Sequence, residues 1–284
     1  MIQHAEQADT LARAARSHGA QGHAGGAEAV DVVHHLADAY EIDLQPFGTI
    51  HLPRLELFGL DVSITKYTVY MWVAALLLLL IFLPMARRRD RVHSGIFNLF
   101  EALFVYVRDE IVYATLGREE GRPYVPFVAT LFFFVLFMNL LGLVPYGATA
   151  TGNLAVTGVL ALFSFVAIEV SGVVANGPVR YARSLMPEGV PMLLAPVMIP
   201  IELIGHLAKP FALMIRLFAN MTAGHVVILS LLGLIFVIQS YFVVPISIGF
   251  AVFIYVLEIL IAFIQAYIFA MLTTVFVQLV RHPH

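Results

Sequence analysis

Cysteine is absent from this 284-residue sequence, and charged residues make up only 12% of it. The lack of cysteine excludes disulfide bonds, thiolate metal ligands and a cysteine nucleophile. The charged share is about half of what a soluble domain usually carries. Hydrophobic residues account for 60% of the chain. The composition therefore favours a membrane protein over a soluble globular domain.

Long apolar runs are what the sequence has instead. Residues 67–85, 125–144 and 154–175 are almost entirely apolar, and about 20 such residues suffice to cross a bilayer as a helix. Lipid offers no partners to backbone groups, and the runs lack the alternation of a membrane β-barrel strand. Each run therefore predicts a transmembrane helix within a helical bundle.

Residues 1–66 differ from the rest of the chain, because they contain nine acidic and four basic side chains. They lack the basic stretch and apolar stretch of a secretory signal peptide, and their histidines follow no spacing typical of a metal site. We expect an extracytoplasmic, partly flexible N-terminal segment over 1–66. The transmembrane helical domain is expected over 67–284.

The arginines of residues 87–91 form the densest basic cluster, directly after the first apolar run. By the positive-inside rule that end is cytoplasmic. Residues 92–116 mix apolar and charged positions and predict an interfacial or hairpin helix. Counting the runs gives about five crossings, with the N-terminus outside and the C-terminus in the cytoplasm.

The last two apolar segments, residues 190–238 and 242–280, are too long for upright spans. As continuous helices they would measure about 75 and 60 Å, against a hydrocarbon core about 30 Å thick. Either they are broken near Pro191, Pro196, Pro200 or Pro210, or they form a long tilted hairpin. The predicted fold class is an all-α polytopic membrane protein with an interfacial helix and a long tilted C-terminal hairpin, about 190–280.

Ionisable and polar residues are concentrated in that hairpin. A central Arg or Lys costs at least ~2.5 kcal/mol in a membrane, so such residues indicate function by default. The set consists of Glu202, His206, Lys209, Arg216, His225 and Glu258, with Asn220, Gln239 and Gln265 as uncharged companions. Lys209 and His206 could equally extend to the interface, and Glu169 in the third span has no evident role.

Spacing predicts how these residues are arranged. Five of them, together with Leu213, advance by steps of three and four, which places them along one inward-facing seam; the stripe is Glu202, His206, Lys209, Leu213, Arg216 and Asn220. Folding the hairpin at about residue 241 brings Arg216 level with Gln265 and His225 level with Glu258. Because Arg216 and His225 are nine residues apart, they point in nearly opposite directions from one helix.

Residues 209–225, KPFALMIRLFANMTAGH, resemble the signature of the ATP synthase subunit a family, R-L-F-x-N-M-x-A-G-[EH]. Residues 138–145, MNLLGLVP, resemble a second motif of that family. Glu258 together with residues 265–269, QAYIF, is similar to its C-terminal motif. The resemblance covers about residues 45–280, and the N-terminal segment is not part of the common pattern.

The resemblance implies a subunit of a rotary F-type ATP synthase in a bacterial inner membrane, partnered by a c-subunit ring, peripheral-stalk b subunits and the rest of the synthase. It implies that Arg216 faces the ring, that His225 and Glu258 form the outer ion half-channel, and that Glu202 serves the inner one. Asn220 and Gln265 would hold Arg216 or water. No catalytic site, metal, cofactor or nucleic-acid partner is expected, and no nucleotide-binding loop G-x-x-x-x-G-K-[ST] occurs.

A secondary transporter with a substrate site around Arg216 is the alternative interpretation. Such transporters are usually built from two similar halves with paired broken helices, and the sequence shows no such repeat. The transported ion, proton or sodium, is open at this level.

Overall fold

A computed structural model of the chain describes residues 41–44, 48–51, 56–57, 60–61, 65–87, 95–144, 150–184 and 195–282. Most of the N-terminal segment 1–66, including the histidines before residue 36, lies outside these ranges. The part of it that is described forms two short antiparallel hairpins, which the sequence analysis did not predict. Their strands are β1 Glu41–Leu44, β2 Gly48–His51, β3 Glu56–Leu57 and β4 Leu60–Asp61.

The remainder of the described chain is helical. Its helices are α1 Lys66–Arg87, α2 Ile96–Tyr106, a π-helical stretch Val107–Tyr113, α3 Ala114–Leu116, α4 Arg118–Gly121, α5 Val125–Leu143, a 3₁₀ turn Ala150–Gly152, α6 Leu154–Asn176, α7 Pro178–Ser184, α8 Ala195–Ile238 and α9 Val243–Arg281. Five of these, namely α1, α5, α6, α8 and α9, are long and apolar enough to cross a membrane. The predicted all-α polytopic class with about five spans is confirmed.

The predicted non-spanning helix occupies α2 and the π-helical stretch that follows it. It packs on the bundle through aromatic rings: Phe100 contacts Phe82 of α1, with ring centroids 6.4 Å apart, and Phe133 of α5 at 6.1 Å. Phe82 and Phe133 also touch, at 4.6 Å. Such ring contacts stabilise packing beyond the area they bury, so α2 is held along α1 and α5.

Helix α5 forms the centre of the bundle, and about two thirds of it is buried within the chain. It is apolar all round, as expected for a helix enclosed by other helices. Its neighbours are α1 on one side and α9 on the other. Asn139, fully buried on α5, donates a hydrogen bond of 3.4 Å to the Ala262 carbonyl of α9.

One end of the bundle is closed by polar contacts to the end of α9. Asn176, the last residue of α6, donates to the carbonyls of Val280 and Arg281 at 3.0 and 3.2 Å. Those carbonyls lie in the last turn of α9 and have no partner within the helix. Glu120 of α4 accepts from His282 at 2.9 Å, and this hydrogen bond lowers the pKa of Glu120 below its usual range.

Helices α8 and α9 are continuous over 44 and 39 residues, about 66 and 59 Å at 1.5 Å per residue. Pro200 and Pro210 lie inside α8 without ending it. Neither helix fits upright in a core about 30 Å thick, so the tilted hairpin, and not a break at these prolines, matches the structure. Gln239, with a φ of 49°, lies in the predicted turn between them.

Candidate functional site

The C-terminal end of α5 is tied to the hairpin. Val144 is extended, as expected before Pro145, so the helix stops and leaves its last carbonyls without intrahelical partners. His225 of α8 donates through Nε2 to the Gly142 carbonyl at 3.0 Å, and Tyr255 of α9 donates to the Leu143 carbonyl at 2.8 Å. The end of α5 therefore fixes where these two hairpin side chains lie.

His225 and Glu258 form an acid–imidazole pair, which confirms the predicted pairing in space. The His225 Nδ1 lies 3.6 Å from the Glu258 Oε1 and 3.0 Å from the Met221 carbonyl. Carbonyls only accept hydrogen bonds, so contacts from both ring nitrogens are satisfied together only by the doubly protonated imidazolium. Glu258 supplies the opposite charge, which suits a pair that gains and loses a proton.

Glu258 is 4% exposed. Neither of its carboxyl oxygens has a hydrogen-bond partner among the described residues, and His225 is its ion-pair neighbour. The carboxyl lies directly over Gly224, where an added Cβ would overlap the Glu258 Oε1. Glycine at this position therefore makes the space in which the acid sits.

Gly224→Ala is expected to displace the Glu258 carboxyl and so break its pairing with His225. Overpacking of this kind costs about 1–3 kcal/mol, and we expect most ion flux to be lost. The matched control is Gly233→Ala on the same helix, because a Cβ at Gly233 would meet nothing within 4 Å. Proton flux in membrane vesicles measures both variants. Equal flux in the two would show that Glu258 does not depend on this space.

Arg216 is exposed on the surface of α8, in contrast to the predicted inward-facing seam. The buried stripe of α8 runs instead through Leu213, Leu217 and Met221. Among the described residues Arg216 has no hydrogen-bond or ion-pair partner, so no bond joins it to Gln265. The seam prediction was wrong for Arg216 and Asn220, because none of the described helices covers that part of α8.

The two amides differ in the same way. Asn220 is exposed beside Arg216. Gln265 is 3% exposed on α9, and its Oε1 has no hydrogen-bond partner within the described ranges. Asn220 can therefore contact a neighbour of Arg216 from outside the chain, whereas Gln265 is held inside it.

Glu202, His206 and Lys209, the other predicted residues, lie toward the N-terminal end of α8. His206 lies between two acids: its Nδ1 is 3.1 Å from Glu169 Oε1, and its Nε2 is 3.6 Å from Glu202 Oε1. The Tyr181 hydroxyl donates to the other oxygen of Glu169. Lys209, one turn from His206, places its Nζ 4.8 Å from the centre of the Phe276 ring. The structure thus gives partners to both His206 and Glu169.

Metal binding has no support in this part of the chain. Within the described ranges no group of three or more His, Asp or Glu side chains is arranged to hold a metal ion. The carboxyl and imidazole groups described above are side chains that can donate and accept protons.

Sequence reasoning missed three contributors to this geometry. Tyr255 precedes Glu258 by three residues, and that helical spacing could have identified it as a neighbour on the same face. Gly224 is part of the R-L-F-x-N-M-x-A-G-[EH] signature, but that motif does not indicate that the glycine makes room for Glu258. The contact between Glu169 and Tyr181 depends on the packing of α7 against α6, which no pattern in the sequence indicated.

The fold and the site together define a polytopic helical membrane protein with acid–imidazole pairs at membrane depth. Residues 68–278 match the family model described as ATP synthase A chain. The chain is 46% identical over 255 residues to an ATP synthase subunit a from Chloroherpeton thalassium, covering 88% of this chain and 76% of that protein. It is 50% identical over 229 residues to one from Myxococcus xanthus, covering 80% and 75% respectively.

A further relative, ATP synthase subunit a 2 of Chlorobaculum tepidum, is 44% identical over 254 residues, covering 87% of this chain and 72% of that protein. The chain belongs to the ATP synthase subunit a family. It is a multi-pass membrane subunit, and the resemblance found in the sequence motifs is confirmed over the whole helical domain.

Proposed function

We propose that this chain carries the two ion half-channels of a rotary F-type ATP synthase and presents an arginine to the c-subunit ring, which couples proton flow to ring rotation and ATP synthesis. The observation that carries the proposal is the position of Arg216. It is exposed halfway along a membrane helix, with Ala212, Ala219 and Asn220 exposed beside it. The small alanines leave room for another helix to approach closely.

A guanidinium in this position needs a negative partner, because it is effectively never deprotonated and a lone charge in lipid is costly. A carboxylate on an approaching ring helix supplies that partner. The fixed charge favours the ionised carboxylate as it passes, and it prevents protons from moving directly between the two half-channels. Asn220 lies on the same surface and can orient Arg216 or a water toward the ring.

The two half-channels lie on either side of Arg216 along α8. The pair of His225 and Glu258 is placed about 13 Å from Arg216 along the helix axis and serves the outer half-channel. Glu202 lies about 21 Å away in the opposite direction and serves the inner one. Gln265, buried on α9, completes the polar lining near the arginine.

The chain itself makes no ATP in this proposal. It acts as a non-catalytic subunit, and its partners are the c ring, the peripheral-stalk b subunits and the rest of the synthase. Co-purification tests this directly. A subunit a should be isolated together with a c ring and a peripheral stalk, whereas a secondary transporter would be isolated alone or as a homo-oligomer.

We place the chain in the inner membrane of a bacterium with its N-terminus outside and its C-terminus in the cytoplasm. Arg87 and Arg281, in the last turns of α1 and α9, support this orientation. The acidic segment 1–66 then lies outside.

A reporter tag inserted near Arg88 is therefore expected to be accessible from the cytoplasm, and one near Gly25 from the outside. Impermeant labelling of right-side-out and inverted vesicles measures both positions. A tag near Gly233, close to the hairpin turn on the far side, provides a third point expected to be reached from outside. Labelling of the Arg88 tag from outside would reverse the assignment of both half-channels.

A further inference from the structure

A second acid–imidazole pair, formed by Glu169 of α6 and His206 of α8, lies on the opposite side of Arg216 from His225. His206 is ten residues before Arg216 and His225 is nine after it, so the two histidines are about 15 and 13 Å from the arginine along α8. The described structure thus contains two such pairs in the membrane-spanning helices, one on each side of the exposed charge.

The pair is built into the contact between three helices. Glu169 receives a hydrogen bond from Tyr181 of α7 on one oxygen and contacts His206 through the other. The Tyr181 ring lies against Gly172 of α6, where an added Cβ would overlap the ring. Burial and the bond to Glu169 raise the pKa of the Tyr181 hydroxyl, so it stays protonated and keeps donating.

The two acids beside His206 differ in exposure, one being largely buried and the other partly open to the surface. The side chains of His206 and Glu169 are 13% and 18% exposed, while that of Glu202, at the other ring nitrogen of His206, is 45% exposed. Helix α9 contributes apolar walls to the cleft beside them, and α8 adds Lys209. The water-accessible space in this cleft is about 10 Å³, close to the minimum for one water molecule.

We propose that Glu169, His206 and Glu202 form the proton relay of the cytoplasmic half-channel, with Tyr181 as the positioning residue. This inference rests on the proposed function and adds the residues that move the proton on that side. In the step that releases a proton to the cytoplasm, protonated Glu169 gives its proton to Nδ1 of neutral His206. His206 then releases the proton on Nε2 to the Glu202 carboxylate, which exchanges it with water.

The numbers of protons and bonds are unchanged by this transfer. One O–H bond breaks at Glu169 and one forms at Glu202, while the imidazole gains a proton on one nitrogen and loses one from the other. His206 ends as the opposite neutral tautomer, and rotation of the ring or proton exchange with water in the cleft resets it. When the direction of flow reverses, the same groups pass protons from the cytoplasm through Glu202 and His206 to Glu169.

Glu169→Gln in the assembled synthase is the first test, because the amide keeps the size and the hydrogen bonds of the acid but cannot carry a proton. General acid–base groups usually contribute factors of about 100 or more, and since water can bypass a single group we expect passive conductance to fall by at least about tenfold. The measurement uses vesicles stripped of the catalytic head, normalised to the amount of assembled complex. His206→Gln is expected to cause a similar loss.

Glu120→Gln is the matched control. Glu120 lies outside the spans, on α4, and is also an acid beside a histidine, namely His282 at the end of α9. It should conduct as the wild type does. Tyr181→Phe keeps the ring and removes the donor, so it should conduct less than the wild type and more than Glu169→Gln. Glu169→Asp, which keeps an ionisable carboxyl, should recover part of the conductance that the amide loses.

A purely structural pair would behave differently. In that case Glu169→Gln and His206→Gln would lower the amount of assembled complex but leave conductance per complex unchanged, and this result would overturn the relay. If Glu169→Gln does not assemble, Glu202→Gln decides the question at the exposed end, where wild-type conductance would also overturn it. If Arg216→Ala loses pumping while Glu169→Gln and His206→Gln show normal flux, the relay is rejected and the proposed function is retained.

Discussion

Replacing Arg216 with alanine is expected to abolish ATP-driven proton pumping and ATP synthesis while the synthase still assembles. The side chain is exposed on α8 and lies outside the buried stripe of Leu213 and Leu217, so its removal creates no cavity inside the chain. In the proposed function, the change removes the fixed positive charge that keeps the two half-channels apart and favours the ionised form of the ring carboxylate. Acidification of inverted vesicles, followed with a proton-sensitive dye, measures the effect.

Two further variants test whether the loss comes from the guanidinium of Arg216 itself. Arg216→Lys keeps a positive charge but replaces the planar, multiply donating group with a compact one that can be deprotonated, so we expect partial function at most. Arg180→Ala removes an exposed arginine outside the spans, on α7, and should pump normally. Wild-type pumping by Arg216→Ala would contradict the central role of this residue and with it the proposed coupling mechanism.

Exchanging His225 and Glu258 is expected to preserve part of the proton flux that either single change destroys. His225→Glu places two carboxyls about 4 Å apart, where both cannot be ionised, and removes the imidazole from the path. Glu258→His pairs two imidazoles with no carboxylate to balance their charge. The double variant restores one acid and one imidazole at the same place, so the two changes should be strongly non-additive.

The measurement compares passive proton conductance and ATP synthesis in the wild type, both single variants and the double variant. Glu119→His serves as the control, because it makes the same kind of exchange at an exposed position outside the spans. The structure adds one condition: the carboxyl at 225 can replace the hydrogen bond to the Gly142 carbonyl only when it is protonated, and the imidazole at 258 must fit over Gly224. A double variant as inactive as the worse single would show that the pair is not interchangeable.

The sequence predicted those features of the fold that depend on the membrane alone. Spans follow from the length of apolar runs, and the end of α5 follows from Pro145. The pairing of His225 with Glu258 was predictable because an antiparallel hairpin with a recognisable turn fixes which residues lie at equal depth. Each of these features depends only on the order of residues along the chain, so it can be predicted from a single sequence.

Contacts that depend on which faces of helices meet were not predictable in this way. A regular stripe through His206 and Arg216 predicted one buried seam, yet the chain encloses His206 and leaves Arg216 exposed. The spacing of polar residues shows that they share a helix face, but it cannot show whether that face meets the same chain or another protein. Glu169 had no visible partner for the same reason, since its contacts come from helices 12 and 37 residues away.

Helix α9 follows α5, α6 and α8 in the chain, so it is synthesised after them, and it packs against all three. At a synthesis rate of about 5–20 residues per second, its 39 residues take roughly 2–8 s to make. During that interval the Glu258 carboxyl beside His225 and the Ala262 carbonyl that accepts from Asn139 have not yet been made, so both side chains lack these partners in the bilayer. A chain cut short before Val243 would lack these partners permanently, and we expect it to be less stable in the membrane than a chain that includes α9.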